Sequence, residues 1–315
     1  MSLKKILTLT VVAILVGTIG VFSYIIENIF TIQERTAKMS LKPIKSGVDK
    51  KFIHEGVVYS KRDYSNEVDV YAQPENKNAG IVIILYGGYW QGGLPGNYKH
   101  LAGIANRAGH VAVVPEIPAA YGVVGRLLLG KESISSRQHP AQLNALIELV
   151  QWLNIEAEKY GGDPKRISLL GIGSGSQSAL LLALRSDLQR QAGMVGHLKG
   201  VVAINLIADL TVKHDTFNNM YVKPVFGENR QTLQLASPIT HLNKEAPPIM
   251  IIAPEFEPDY MKVGAEKFTE QMGALNLKVD YHKIEQRAPK SIVFKTGRRG
   301  DPVRELLKKF WAEKL

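Results

Sequence analysis

The chain has no cysteine among its 315 residues. That excludes disulfide cross-links, thiolate nucleophiles and zinc–thiolate centres, and it is compatible with either side of a membrane. Acidic side chains are in the minority, 29 Asp and Glu against 39 Lys and Arg, for a formal net charge of +10. Such a surplus can point to nucleic acid, but no nucleic-acid-binding motif accompanies it and the basic residues run along the whole chain. No nucleic-acid partner, cofactor or metal is assigned on this reading. Long apolar runs are scarce, with one exception. After Lys4 and Lys5, residues 6–26 carry no charge over 21 positions, enough to span a bilayer. The rival is a cleavable signal peptide, with Thr18 and Gly20 as the small-residue pair. However, Val21, Phe22, Tyr24, Ile25 and Ile26 carry the apolar run well past that pair. The reading favours an uncleaved anchor over residues 1–27 that meets membrane lipid through 6–26. Lys4 and Lys5 on one flank, against Glu27 and Glu34 on the other, place the N-terminus inside and the rest outside. For a tethered domain, anionic lipid headgroups are the natural counter-charge to a basic surface.

Beyond the anchor the chain is ordinary globular material. Residues 28–51 are polar, basic and interrupted by Pro43 and Gly47, and read as a stalk. Residues 56–60 and 68–71 form two candidate strands, after which strand and helix alternate. The runs 81–85, 111–114, 167–170, 200–204, 248–252 and 278–284 read as strands, several of them apolar throughout, as buried parallel strands are. Between them lie helical patterns at 98–107, 140–160 and 260–275. A last helix opens on Asp301 as N-cap with Pro302 at its first position. This alternation predicts a doubly wound, mostly parallel sheet in one domain over 52–315. Residues 208–240 break the alternation and are a candidate cap.

Gly171-Ile172-Gly173-Ser174-Gly175 follows one predicted strand and opens a helix. That is the setting of a G-x-S-x-G nucleophile elbow, a sharp turn that lifts one side chain above the sheet. Small residues are needed two before and two after the tip. Gly171 and Gly175 supply them, so Gly173 stands where the nucleophile belongs. A shifted register would make Ser174 the nucleophile, flanked by Ile172 and Ser176, but a β-branched residue fits that tight packing badly. In the first register Ser174 sits one past the tip, where its backbone N–H is an oxyanion donor.

Further segments carry a resemblance. Val68-Asp69-Val70-Tyr71-Ala72-Gln73-Pro74, Tyr86-Gly87-Gly88-Tyr89-Trp90-Gln91-Gly92-Gly93, His139-Pro140-Ala141-Gln142-Leu143, Tyr160-Gly161-Gly162-Asp163-Pro164-Lys165-Arg166-Ile167 and the pair Phe226-Gly227 with Ala236-Ser237-Pro238-Ile239-Thr240 occur in that order. Together they resemble the α/β-hydrolase superfamily, in particular bacterial carboxylesterases of the feruloyl-esterase-like and hormone-sensitive-lipase-like type. The second segment resembles the H-G-G-G-W oxyanion loop, with Tyr86 in place of the histidine and Tyr89 in place of the third glycine. The resemblance implies an α/β-hydrolase fold, oxyanion-loop positions at Gly87, Gly88 and Tyr89, and a Ser, Asp or Glu, and His triad in that chain order. It places the acid after strand 248–252, where Glu257 is the nearest equivalent, although a solvated loop carboxylate explains that residue equally well. The histidine belongs on the loop Glu285-Gln286-Arg287-Ala288-Pro289-Lys290-Ser291, which has none. His282 falls too early, inside the strand.

Two triad positions are therefore empty. Loss of the serine alone typically costs about 10⁶ in kcat, about 8 kcal/mol of transition-state stabilisation. The sequence leads to a membrane-anchored protein of esterase type with Gly173 at the nucleophile position and no catalytic histidine. It would serve as a binding or assembly subunit for protein partners at the bacterial inner membrane, with its domain on the periplasmic side. The alternative is an active carboxylic-ester hydrolase that uses Ser174.

Overall fold

The computed structural model describes residues 45–62, 65–73, 75–120 and 137–315. The anchor expected over 6–26 and most of the stalk lie outside them. Among the described residues, no helix is long and apolar enough to cross a membrane.

Eight strands form one sheet in the order β1-β2-β4-β3-β5-β6-β7-β8. The strands are β1 (Ile53–Val58), β2 (Glu67–Tyr71), β3 (Ala79–Leu85), β4 (Val111–Pro115), β5 (Gly162–Ile172), β6 (Leu198–Ile204), β7 (Ile249–Pro254) and β8 (Val279–Ile284). Only the pairings β1 with β2 and β2 with β4 are antiparallel, and from β4 to β8 every pairing is parallel. The first strand lies a few residues earlier than 56–60, because Ile53 and His54 pair with Tyr71 and Val70 before an irregularity ahead of Val57. Its mostly exposed residues give no clean alternation from which to read a start.

Helices cover both faces, as parallel strands require. On one face, α1 (Lys99–Arg107) and α7 (Pro302–Lys314) pack on Ile84, Val114, Ile204 and Ile252. The apolar spacing of α7 explains its seat. Val303, Leu307, Phe310 and Trp311 fall on one stripe and all are buried. Asp301 caps this helix as expected, its carboxylate accepting from the Val303 N–H at 3.0 Å. On the other face lie α2 (Ala141–Glu156), α3 (Ser174–Leu184), α4 (Ser186–Ala192) and α5 (Asp259–Ala274), around Ile81, Ile83, Leu169, Val201 and Ile251. The short α6 (Pro289–Phe294) follows β8. Helix α3 is buried along its whole length, and its second half, residues 179–184, is accordingly apolar all round rather than amphipathic. The segment expected as a cap builds a third core with the oxyanion loop, in which Trp90 meets Phe217, Val222, Val225 and Phe226.

Candidate functional site

Strand β5 ends at Ile172 and α3 begins at Ser174, so Gly173 alone makes the turn. Its φ of 54° and ψ of −117° are a conformation that side-chain-bearing residues adopt only under strain. The Gly173 N–H is held by the Ile204 carbonyl at 2.8 Å, and its own carbonyl accepts from the Ser176 N–H and, at 2.6 Å, from the Ser176 hydroxyl. The flanking glycines are steric necessities. A Cβ on Gly171 would collide with the Ser176 backbone, and one on Gly175 with the Leu85 carbonyl. At Gly173 the reverse holds: the nearest atom to an added Cβ would be Gly87 Cα, at 3.9 Å. A nucleophile's side chain would fit at the tip, yet none is there.

Gly87 therefore faces the tip, and the Ser174 N–H lies in the first turn of α3, where no intrahelical carbonyl can reach it. These three residues are brought together. Gly88 has φ +139°, and a Cβ there would strike the Gly92 carbonyl. Tyr89 and Trp90 both sit at positive φ, 53° and 60°, so the position where the family pattern has its third glycine does demand glycine-like geometry. Tyr89 holds it through ring contacts. It stacks on Tyr221 at 4.1 Å between centroids, and its hydroxyl lies 3.2 Å from that of Tyr260. Tyr260 in turn stacks on Phe217 at 4.0 Å. Burial, with the bond to Tyr89 next, pushes the Tyr260 phenol far above its ordinary range.

Trp90 is seated by Phe226, edge-on at 5.0 Å, and its Nε1–H donates to Gln177 Oε1 at 3.0 Å. Gln177 then donates to the Ala236 carbonyl, which ties helix α3 to the cap. Beneath Trp90 a void of about 20 Å³ remains, bordered by Tyr86, Gln142, Ser174 and Ser178, little more than one water molecule needs. Ser174 is buried at its edge. Tyr86, in the histidine's place, accepts the Ile117 N–H at 3.0 Å and stacks on Tyr98 at 5.3 Å. Sequence reading missed this aromatic packing, although Phe217, Tyr221 and Phe226 in the cap segment were its signal.

The acid and base loops make a joint. The Glu255 N–H donates to the Ile284 carbonyl, the Phe256 N–H to the Arg287 carbonyl, and the Gln286 N–H to the Glu255 carboxylate at 2.7 Å. Arg287 is then pinned to the buried Asp301 at 2.6 Å. Asn205, at the end of β6, donates to the Pro289 carbonyl at 2.9 Å. Glu257, two residues past Glu255, makes none of these bonds. It borders a groove of about 500 Å³ with Lys262, Glu266, Tyr281 and Lys283, none of which is an elbow residue. Burial, then the neighbouring Glu266 carboxylate, raises Glu257 to about 7. His282 sits within β8 and pairs with Asp280 at 2.8 Å. His139 packs against Phe226 at 4.9 Å, and burial, with Arg185 next, lowers it to about 4. Among the described residues, no group of three or more His, Asp or Glu side chains is arranged to hold a metal ion.

Order of strands, elbow and oxyanion loop are joined by a direct comparison of sequence: the BD-FAE family model matches residues 68–259, more than half of the chain. The chain belongs to the BD-FAE family. This is an α/β-hydrolase family of carboxylesterase type, and the match runs from β2 to the first residue of α5. A probable carboxylic ester hydrolase, LipM of Mycobacterium tuberculosis, is 23% identical over 217 residues, which cover 64% of this chain and 47% of the relative. The chain thus spans about half the length of the curated relative that it matches. Among solved structures, a truncated carbohydrate esterase from gut microbiota superposes with a TM-score of 0.68 at 16% identity, covering 86% of this chain and 98% of its own. Esterase B from Lactobacillus rhamnosis, inhibited by a tributyrin phosphonate, gives 0.69 at 15% identity over 91% and 92%. Est2 of Thermogutta terrifontis, with butyrate bound, gives 0.62 at 19% over 83% and 94%. At these identities the structural likeness is one of fold.

Proposed function

We propose that this BD-FAE family member is a membrane-anchored, catalytically degenerate esterase that binds through its hydrolase scaffold and acts as a binding or assembly subunit. The observation that carries the reading is Gly173 at the tip of an elbow whose geometry is otherwise intact. A scaffold that keeps the turn and the oxyanion face while lacking nucleophile and base has the means to hold a carbonyl oxygen but not to attack the carbonyl carbon. The joint between the β7 and β8 loops supports the same reading, since Arg287, Ala288 and Pro289 occupy the stretch where a base would be needed. The names of the relatives favour the other reading, an active ester hydrolase, in which Ser174 would be the nucleophile. Ser174 stands one residue past the tip, buried in the first turn of α3.

A serine-directed alkyl phosphonate separates the two. The native chain is expected to resist labelling and to show no saturable turnover of short acyl esters. Gly173→Ser alone is expected to stay nearly inactive. Combined with Lys290→His it should exceed either single change, because nucleophile and base act as a unit. Saturable hydrolysis by the native chain, abolished by Ser174→Ala, would overturn the proposal.

A further inference from the structure

Although basic residues run along the whole chain, one folded segment carries a local excess of them. Residues 287–309 contain eight Lys or Arg and only two acids, Asp301 and Glu305, a surplus of six in a chain whose total is +10. Both acids are engaged within the segment. Asp301 is buried against Arg287, and Glu305 contacts Arg304 at 3.8 Å and Lys308 at 3.2 Å. Arg298 and Arg299 are exposed on the turn between α6 and α7, with Lys295 half-buried beside them. No ion pair engages Lys295 or Arg299 among the described residues.

This segment packs on α1. The His100 ring meets the Val293 carbonyl at 3.0 Å, and Phe294 lies 6.3 Å from Tyr98 and 6.2 Å from His100. Helix α1 is also where the chain joins the domain. The Arg107 guanidinium donates to the Ser46 carbonyl, Gly103 leaves room for that same carbonyl, and Val48 packs into the core that holds α1 and α7. Residues 46–48, where the domain begins, and the basic turn therefore share one face of the sheet.

We infer that the basic turn between α6 and α7, centred on Lys295, Arg298 and Arg299, is an electrostatic docking surface for anionic lipid headgroups. A basic residue near an anionic leaflet is worth about a fivefold gain in contact, and the attraction decays within about 8 Å at physiological salt. Such a surface acts only if the domain is held close to the membrane. A short tether that enters on the same face supplies that proximity as effective concentration. The inference leans on the proposed anchor for proximity, while the charge itself does not depend on it.

Because the native chain has no cysteine, single-cysteine labelling of the full-length protein is direct. A fluorophore is placed at Gly297→Cys, or at Val195→Cys beyond α4 on the other face. Each protein is mixed with vesicles of phosphatidylcholine alone or with phosphatidylglycerol added, carrying a headgroup-attached quencher. Quenching at 297 is expected to exceed that at 195 only with phosphatidylglycerol, and to fade in high salt. Reversing Lys295, Arg298 and Arg299 to Glu should lower the docked-to-undocked ratio by about a hundredfold or more. Equal quenching at the two positions, or indifference to phosphatidylglycerol, overturns the inference, as does shielding of position 297 by duplex DNA but not by anionic vesicles. Flotation separates this from the anchor. Full-length protein that floats with neutral vesicles but shows flat quenching keeps the anchor and loses the docking surface. Salt-sensitive flotation with anionic vesicles alone does the opposite.

Discussion

At the elbow, each glycine answers a particular constraint: Gly171 the Ser176 backbone, Gly175 the Leu85 carbonyl, Gly173 its own φ of 54°. Across the carboxyl edge of the sheet, the loops after β7 and β8 are tied to each other and to the start of α7, the Glu255 carboxylate accepting from the Gln286 backbone N–H and Arg287 pairing with Asp301. The first region retains a backbone shape without the group that would use it. The second is a structural seam, in which the loops after β7 and β8 hold each other and the start of α7. Backbone geometry and side-chain chemistry are thus separable in this fold: the turn is fixed by packing against β3, whereas a triad depends on three side chains that packing does not require. Substitutions in the seam should therefore cost the most stability, and a change at the elbow tip should cost less.

The largest effect is expected at the seam. Asp301 is buried, paired with Arg287, and caps α7. Asp301→Ala leaves the Arg287 guanidinium without its partner and removes the cap, for a loss of about 3–5 kcal/mol. Asp301→Asn, which keeps a capping oxygen, should lose less. Urea denaturation followed by tryptophan fluorescence measures both, and α7 carries Trp311 as a fully buried reporter. An Asp301→Ala protein as stable as the parent would mean that the loops do not depend on this pair.

At the elbow the contrast lies within five residues. Gly175→Ala drives a methyl group into the Leu85 carbonyl and should cost about 3 kcal/mol or fail to fold. Gly173→Ala meets only Gly87 Cα, at an ordinary contact distance of 3.9 Å, so its cost is confined to the strained backbone, about 1–3 kcal/mol. The ordering of the two is the sharper claim, and equal losses would erase the distinction between packing glycine and tip glycine.

The elbow was legible in the sequence because its constraint is steric and local, with small residues at fixed spacing after a buried strand. The parallel strands were legible for the same reason, their apolar runs being continuous. The first strand was misplaced since β1 is an edge strand and mostly exposed, with Gly56 at positive φ in its middle. The site's filling was not legible. Tyr89 meets Tyr221 and Tyr260 across 132 and 171 positions, and the arrangement depends on two residues holding left-handed backbone that their side chains disfavour. The placement of Glu257 was likewise out of reach. The family resemblance put it in the acid loop, but whether its side chain faces the elbow or a groove beside α5 is decided by the turn itself.

That placement gives the smallest of the expected effects and the easiest to reverse. Burial, followed by the Glu266 carboxylate, raises Glu257 from the ordinary 4.5 to about 7 in the folded protein. A raised carboxylate means that the folded state binds the proton more tightly than the unfolded chain, so the unfolded state binds fewer protons between those values. By linkage, unfolding free energy falls as pH rises from about 4.5 to about 7 and is flat with respect to this group on either side. The group is partly open to solvent, so the drop should be shallow. Glu257→Gln keeps the shape, removes the ionisation, and should flatten that part of the profile while leaving stability near pH 4.5 close to the parent's. Glu266→Gln removes the neighbouring charge and should leave a smaller slope, because burial still disfavours the ionised form. A stability profile between pH 4.5 and 7 that Glu257→Gln leaves unchanged would place this carboxylate in open solvent, and with it would fall its placement in the groove beside α5.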